Sequence, residues 1–139
     1  MSENGALKCV MIIDEDLPGG LSVNTAGVLA LTLGNKIGQI IGPDVTDGSG
    51  RAHLGITTMP IPILKAKAET VRDVRLQASE SDDLMLVDFT DAAQTTKTYE
   101  DYIQKIEGVP TEELSYLGVA LYGDKKQVNK LTGSLPLLR

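Results

Sequence analysis

Residues 8–34 constrain the fold more tightly than any other stretch of the chain. From Cys9 to Ile13 the sequence is apolar without interruption, and the acidic turn Asp14 to Gly20 follows. The turn opens a second run, Leu21 to Leu33, in which polar residues are few. A strand with no apolar–polar alternation is buried on both faces, and α/β sheets hold their ligands at the turn after such a strand. The pattern predicts a strand over 7–13 and a helix that starts at Ser22 or Asn24, either of which offers a capping side chain. The helix is expected to end near Leu33, before Gly34 and Asn35, with Val23, Ala26, Gly27, Ala30 and Leu33 facing inward.

Further along, the spacing predicts a short strand over 37–41, a turn-rich loop over 42–50 and an extended segment over 55–64. Pro60 and Pro62 place that segment at a sheet edge. Helices are expected over 66–78, 99–107 and 124–131, strands over 84–89 and 115–122, and a polar loop over 90–98. Strands alternating with helices give an α/β fold: a three-layer sandwich with a mostly parallel four-stranded sheet and helices on both faces.

A chain of 139 residues with one Phe and no Trp is read as a single domain over 1–139. Its core must come from Val, Ile, Leu and Ala. A net charge of -6 argues against broad affinity for nucleic acid or anionic membrane. The lone Cys9 sits inside the first apolar run, as expected of a buried thiol in a reducing compartment. Residues 1–5 lack the basic and then apolar regions of a secretory leader, and no apolar run approaches the ~18 residues of a membrane span. These features predict a cytoplasmic protein that does not enter a membrane.

The candidate site follows from where the strands end. Asp14 closes the first strand, and Asp88 and Asp91 close a later one, so their carboxylates are expected to meet in one crevice as acid and base. Gly20, Asn24 and Thr25 flank the first helix start, where backbone amides and side chains can receive an anionic group. Asn24 read as a simple helix cap is the plainer alternative. Thr90 and Thr95 add hydroxyls beside the carboxylates. His53 has no recognisable partner and reads as a surface residue. No Cys/His spacing fits a metal, and no motif calls for a cofactor, so neither is expected. Two basic clusters, Lys65 to Arg75 and Lys125 to Lys130, read as charged helix exteriors or as phosphate contacts for an RNA end.

Two segments carry a resemblance. Lys8 to Ile13 with its glycine turn and Ala-rich helix resembles the opening of type II peptidyl-tRNA hydrolases, and Val128 to Leu138 resembles their close. Asp88 to Thr90, Tyr122 to Lys126 and Leu131 to Arg139 resemble more nearly an uncharacterised bacterial family of similar fold. The resemblance implies that fold, with an essential lysine after the turn glycine; here the pair is Gly20 and Leu21. The hydrolases' Asp-Ala-Gly-x-Thr-Gln turn is matched in part by Asp91, Ala92 and Thr95. The leading expectation is therefore a binding or accessory domain for a small ligand or RNA end. The alternative is an ester or amide hydrolase with Asp88 or Asp91 as base and Thr95 positioning the substrate. A third reading is a homodimer formed through a free sheet edge or the Ala-rich helix.

Overall fold

The computed structural model describes residues 6–139, and the reading of residues 1–5 lies outside them. Along the chain come β1 (Leu7–Asp14), α1 (Gly19–Ile37), β2 (Val45–Thr46), β3 (Ala52–His53), β4 (Ile63–Ala66), α2 (Ala68–Ala78) and β5 (Met85–Thr90). Then follow α3 (Asp91–Gln94), α4 (Tyr99–Glu107), a 3₁₀ turn (Thr111–Glu113), β6 (Tyr116–Asp124) and α5 (Lys125–Thr132).

The main sheet has the order β4-β1-β6-β5. Only β1 and β4 pair in parallel, whereas β6 runs antiparallel to both of its neighbours. The expectation of a mostly parallel sheet is thus corrected to a mixed one. The cause lies in the connection from β5 to β6. Short elements α3, α4 and the 3₁₀ turn make no crossing of the sheet, and the chain re-enters at the end it left. There Asp91 N donates to Ser115 O at 3.0 Å and Ser115 N donates to the Asp91 carboxylate at 3.3 Å. A strand re-entering at that end must run backwards.

Apolar side chains fill both sides of the sheet. On one, Val10, Ile12, Val71, Val74, Val119, Leu121 and Val128 join β1 and β6 to α2 and α5. On the other, Cys9, Met11, Ile13 and Ala120 meet Leu29 and Leu33 of α1. Burial pushes the Cys9 thiol up to about 11, which leaves it protonated and inert at neutral pH.

The sequence reading of α1 needs three corrections. The helix begins at Gly19, because Pro18 with φ -57° supplies the first carbonyl and accepts from Ser22 N at 2.9 Å. It runs past Gly34 to Ile37 and stops at Gly38, whose φ of 69° favours glycine. Its buried face is Thr25, Leu29 and Leu33, while Val23 and Leu31 face solvent. The sheet selects that face. Gly118 leaves room for the Thr25 methyl, and the Thr25 hydroxyl is satisfied by Leu21 O at 2.8 Å.

Residues 37–41 form no strand beyond a single bridge between Ile41 and Thr57. Instead residues 40–58 fold back as a ribbon around β2 and β3. Thr58 N donates to Ile40 O at 2.7 Å and Gly42 N to Ile56 O at 2.9 Å. The expected loop over 90–98 holds the short helix α3. The helices predicted over 66–78, 99–107 and 124–131 appear within two residues of those bounds.

Candidate functional site

Three strands, β1, β4 and β5, end at the same side of the sheet, where β6 begins. Asp14 and Asp91 therefore do share one end of the molecule. They lie two strands apart, and at ~4.8 Å between strands the backbones of Asp14 and Thr90 stand about 10 Å from each other. Asp14 is half-buried and binds its own turn, accepting from Asp16 N at 3.0 Å. A small crevice of about 200 Å³ lies beside it, lined by Arg72, Ser115 and Tyr116 among others. Asp91 accepts from the Ser115 amide and staples β5 to β6.

Asp88 has a different role. Its side chain points to the α2 side, where Arg75 Nε donates to Oδ2 at 3.1 Å. Both partners are largely shielded, their side chains 23% and 18% exposed. The guanidinium lies 5.7 Å from the centre of the Tyr116 ring, and Tyr116 OH donates to Thr111 O at 2.7 Å. Burial raises the Tyr116 phenol above its ordinary value, with Arg75 lowering it and Asp88 raising it. The pair neutralises Asp88 and ties β5, α2 and β6 together.

A wider cleft lies away from the strand ends. It runs along β5, the edge strand, and has a volume of about 440 Å³. Val28 and Thr32 of α1 form one wall, and Val87, Asp88 and Phe89 of β5 form its base. Across it stand Ala93, Thr96, Lys97, Thr98, Tyr99 and Tyr102. The Tyr99 and Tyr102 rings meet edge to face with centres 5.3 Å apart. Burial and the Asp88 charge raise the Tyr102 phenol. Helix α4 has no fully buried residue although its apolar positions recur at helical spacing. It is fixed at its start by Thr98, whose hydroxyl accepts from Asp101 N at 3.1 Å. The helix overhangs the cleft without filling it.

The remaining expected site residues disperse. Gly20 is exposed in the first turn of α1, and Asn24 is exposed one turn on, too late to cap it. Thr25 is wholly buried on the α1 side of the sheet, opposite the face that Asp88 takes. Thr90 is buried, with no hydrogen-bond partner for its hydroxyl among the described residues. Thr95 is exposed; it donates to Asp91 O at 2.7 Å and accepts from Lys105 Nζ at 2.5 Å. His53 sits on the ribbon, its Nε2 2.8 Å from Asp47. Among the described residues no group of three His, Cys, Asp or Glu side chains is placed to hold a metal ion. No helix among them is long and apolar enough to cross a membrane.

The sequence reading missed Arg75, Lys97, Tyr99 and Tyr102 as site residues. One signal was present: α4 carries Tyr99, Tyr102, Ile103 and Ile106 on one face directly after a threonine-rich turn. Such a stripe needs a surface to face.

These features define an α/β domain with a mixed four-stranded sheet and a cleft along its β5 edge. The chain belongs to the family described as "Protein of unknown function (DUF2000)", which it matches over residues 7–139. A solved structure from Agrobacterium tumefaciens, the protein of unknown function Atu0240, has the same fold with a TM-score of 0.86 at 23% sequence identity. The match covers 94% of this chain and 96% of that one. No curated protein matches the chain. An uncharacterised family is what the sequence led one to expect; neither comparison carries the likeness to type II peptidyl-tRNA hydrolases.

Proposed function

We propose that this domain binds a small molecule with a flat apolar body and an anionic group in the cleft between α1, β5 and α4. The carrying observation is the cleft itself. Its volume of about 440 Å³ falls within the ~300–1,000 Å³ of ordinary ligand pockets. Val28, Val87, Phe89 and the two tyrosine rings supply apolar and aromatic walls, with a few polar groups at the rim. The charge balance sets the sign of the ligand. Asp88 is neutralised by Arg75, whereas Lys97 has no ion-pair partner among the described residues. One uncompensated cation favours a carboxylate or similar anion.

Binding without turnover fits the site better than hydrolysis does. Asp88 is engaged by a guanidinium on the α2 side and Asp91 by the Ser115 amide at the strand end, so the two carboxylates serve the frame in different places and do not face one reacting centre. The likeness of the chain ends to type II peptidyl-tRNA hydrolases supports a kinship in which the reacting cation has given way to packing. Leu21, at the position of the expected lysine, packs against the α1-side core.

Calorimetry with 3-phenylpropionate and its neutral amide tests the reading. The acid is expected to bind more tightly than the amide, and Lys97→Ala to weaken the acid roughly fivefold, as for a partly exposed ion pair. Equal affinity for acid and amide would remove the role given to Lys97. Turnover of a phenyl ester that Asp88→Asn abolishes would favour the hydrolase instead.

A further inference from the structure

The charges of this chain are unevenly distributed. Of 13 basic and 19 acidic residues, only Lys36, Asp44, Asp47 and Arg51 fall between Leu17 and Leu64. That segment holds α1, the ribbon and the approach to β4. It is also well exposed: Val23 is 73% and Leu31 80% accessible on α1, and Leu54 is 82% and Ile56 77% accessible on the ribbon. A solvent-facing helix of 19 residues normally carries charges along its outer face, and the core of a protein interface is where charges are depleted.

We infer that the ribbon 40–58 and the outer face of α1 form the interface between two copies of this chain. The ribbon is stiff enough to serve as an arm. Asp47 accepts from Ser49 N at 2.9 Å and Arg51 N at 3.0 Å, and Gly55 N donates to Asp44 at 2.8 Å. A Cβ on Gly55 would stand 1.8 Å from Gly42 O, so the two strands close tightly on each other. Apolar side chains project from both faces of the arm. By register Ile41 and Val45 share one face, and Leu54 and Ile56 the other.

The area favours a second copy over a small partner. Val23 and Leu31 with the Leu54 and Ile56 face of the arm expose roughly 500 Å² of apolar side chain per copy, the greater part of the ~800 Å² that each partner gives to a standard interface. In a two-fold arrangement each arm closes on the other copy's helix, and the contact repeats itself without growing into a filament. The stripe Val23, Gly27 and Leu31 is turned away from Val28 and Thr32, so the dimer and the cleft use different faces of α1.

Sedimentation equilibrium at micromolar concentration tests this. The chain is expected to have twice its sequence mass, and Leu31→Lys and Ile56→Lys each to weaken the dimer at least tenfold with near-UV circular dichroism unchanged. A monomeric wild-type chain would overturn the inference, as would a dimer that both variants leave intact. A monomer that floats with neutral phosphatidylcholine vesicles would overturn it in favour of a membrane surface.

Discussion

Removing Arg75 leaves Asp88 with a largely shielded negative charge and no cation to answer it. Exposed pairs contribute up to ~1 kcal/mol, and breaking a fully buried pair costs ~3–5 kcal/mol. With side chains 23% and 18% exposed, Arg75→Ala is expected to lie between these, at about 2 kcal/mol by urea unfolding. Asp88→Asn in the same chain should recover part of the loss; an unchanged loss would mean that Arg75 acts through packing on Tyr116. At Gly118 the constraint is space. A Cβ there would stand 2.6 Å from Thr25 Cγ2 and 2.9 Å from Ile13 Cδ1. The Thr25 rotamer is fixed by its bond to Leu21 O, so Gly118→Ala is expected to cost about 1–3 kcal/mol of overpacking. Adding Thr25→Ser, which removes the opposing methyl, should relieve most of it. At this scale the sequence pointed to Asp88 as a carboxylate near a strand end. It did not reveal Arg75, thirteen residues away on a helix whose exposed face seemed to own it.

Among the elements, the ribbon has its tip gathered around one side chain, Asp47. His53 beside Asp47, with the amides of Arg51 and Ser49, lowers the Asp47 carboxyl below its ordinary 3.8. A depressed carboxyl stabilises the fold above its unfolded value and ceases to as pH falls through the folded one. The ribbon tip is therefore expected to stay closed above pH 3.8 and to fray below it. Amide resonances of Ser49 and Arg51 would report this while core resonances in β1 and β6 stay put. Simultaneous loss of both would show that Asp47 has no local role. Helices α2 and α5 were legible because their amphipathic period agrees with the face they bury, and α4 because its apolar residues recur along one side. Helix α1 was legible as a helix, but its bounds and inward face were not, because apolar residues fall on every side of it and periodicity has little to select. Only the gap at Gly118 on a distant strand chooses the inward face, and Gly34 reads as a stop only until Gly38 is seen to be one. The ribbon escaped notice for a related reason. Its pairing depends on backbone bonds such as Thr58 N to Ile40 O, which leave no mark on side-chain alternation.

At the level of the whole molecule, alternation of strands and helices gave the layers correctly and the strand directions incorrectly. The error lies in one connection. A segment of 25 residues between β5 and β6 reads as a crossover, but Asp91 and Ser115 stitch its two ends together, and β6 is reversed. The same connection makes the cleft, because α4 must stand beside β5 instead of packing on a sheet face. The misjudged topology and the missed site thus share a cause. Carboxylates at strand ends are the loudest signal in such a sequence, yet here they hold the frame together while the open volume lies along the edge.

The most direct test maps where a ligand binds, using ¹⁵N-labelled protein titrated with 3-phenylpropionate. The account predicts amide shifts confined to Val28, Thr32, Val87 to Phe89 and Thr96 to Tyr102, and their loss in Val28→Phe, which fills the cleft. Shifts centred on Asp14, Arg72 and Ser115, or none up to millimolar ligand, would contradict it.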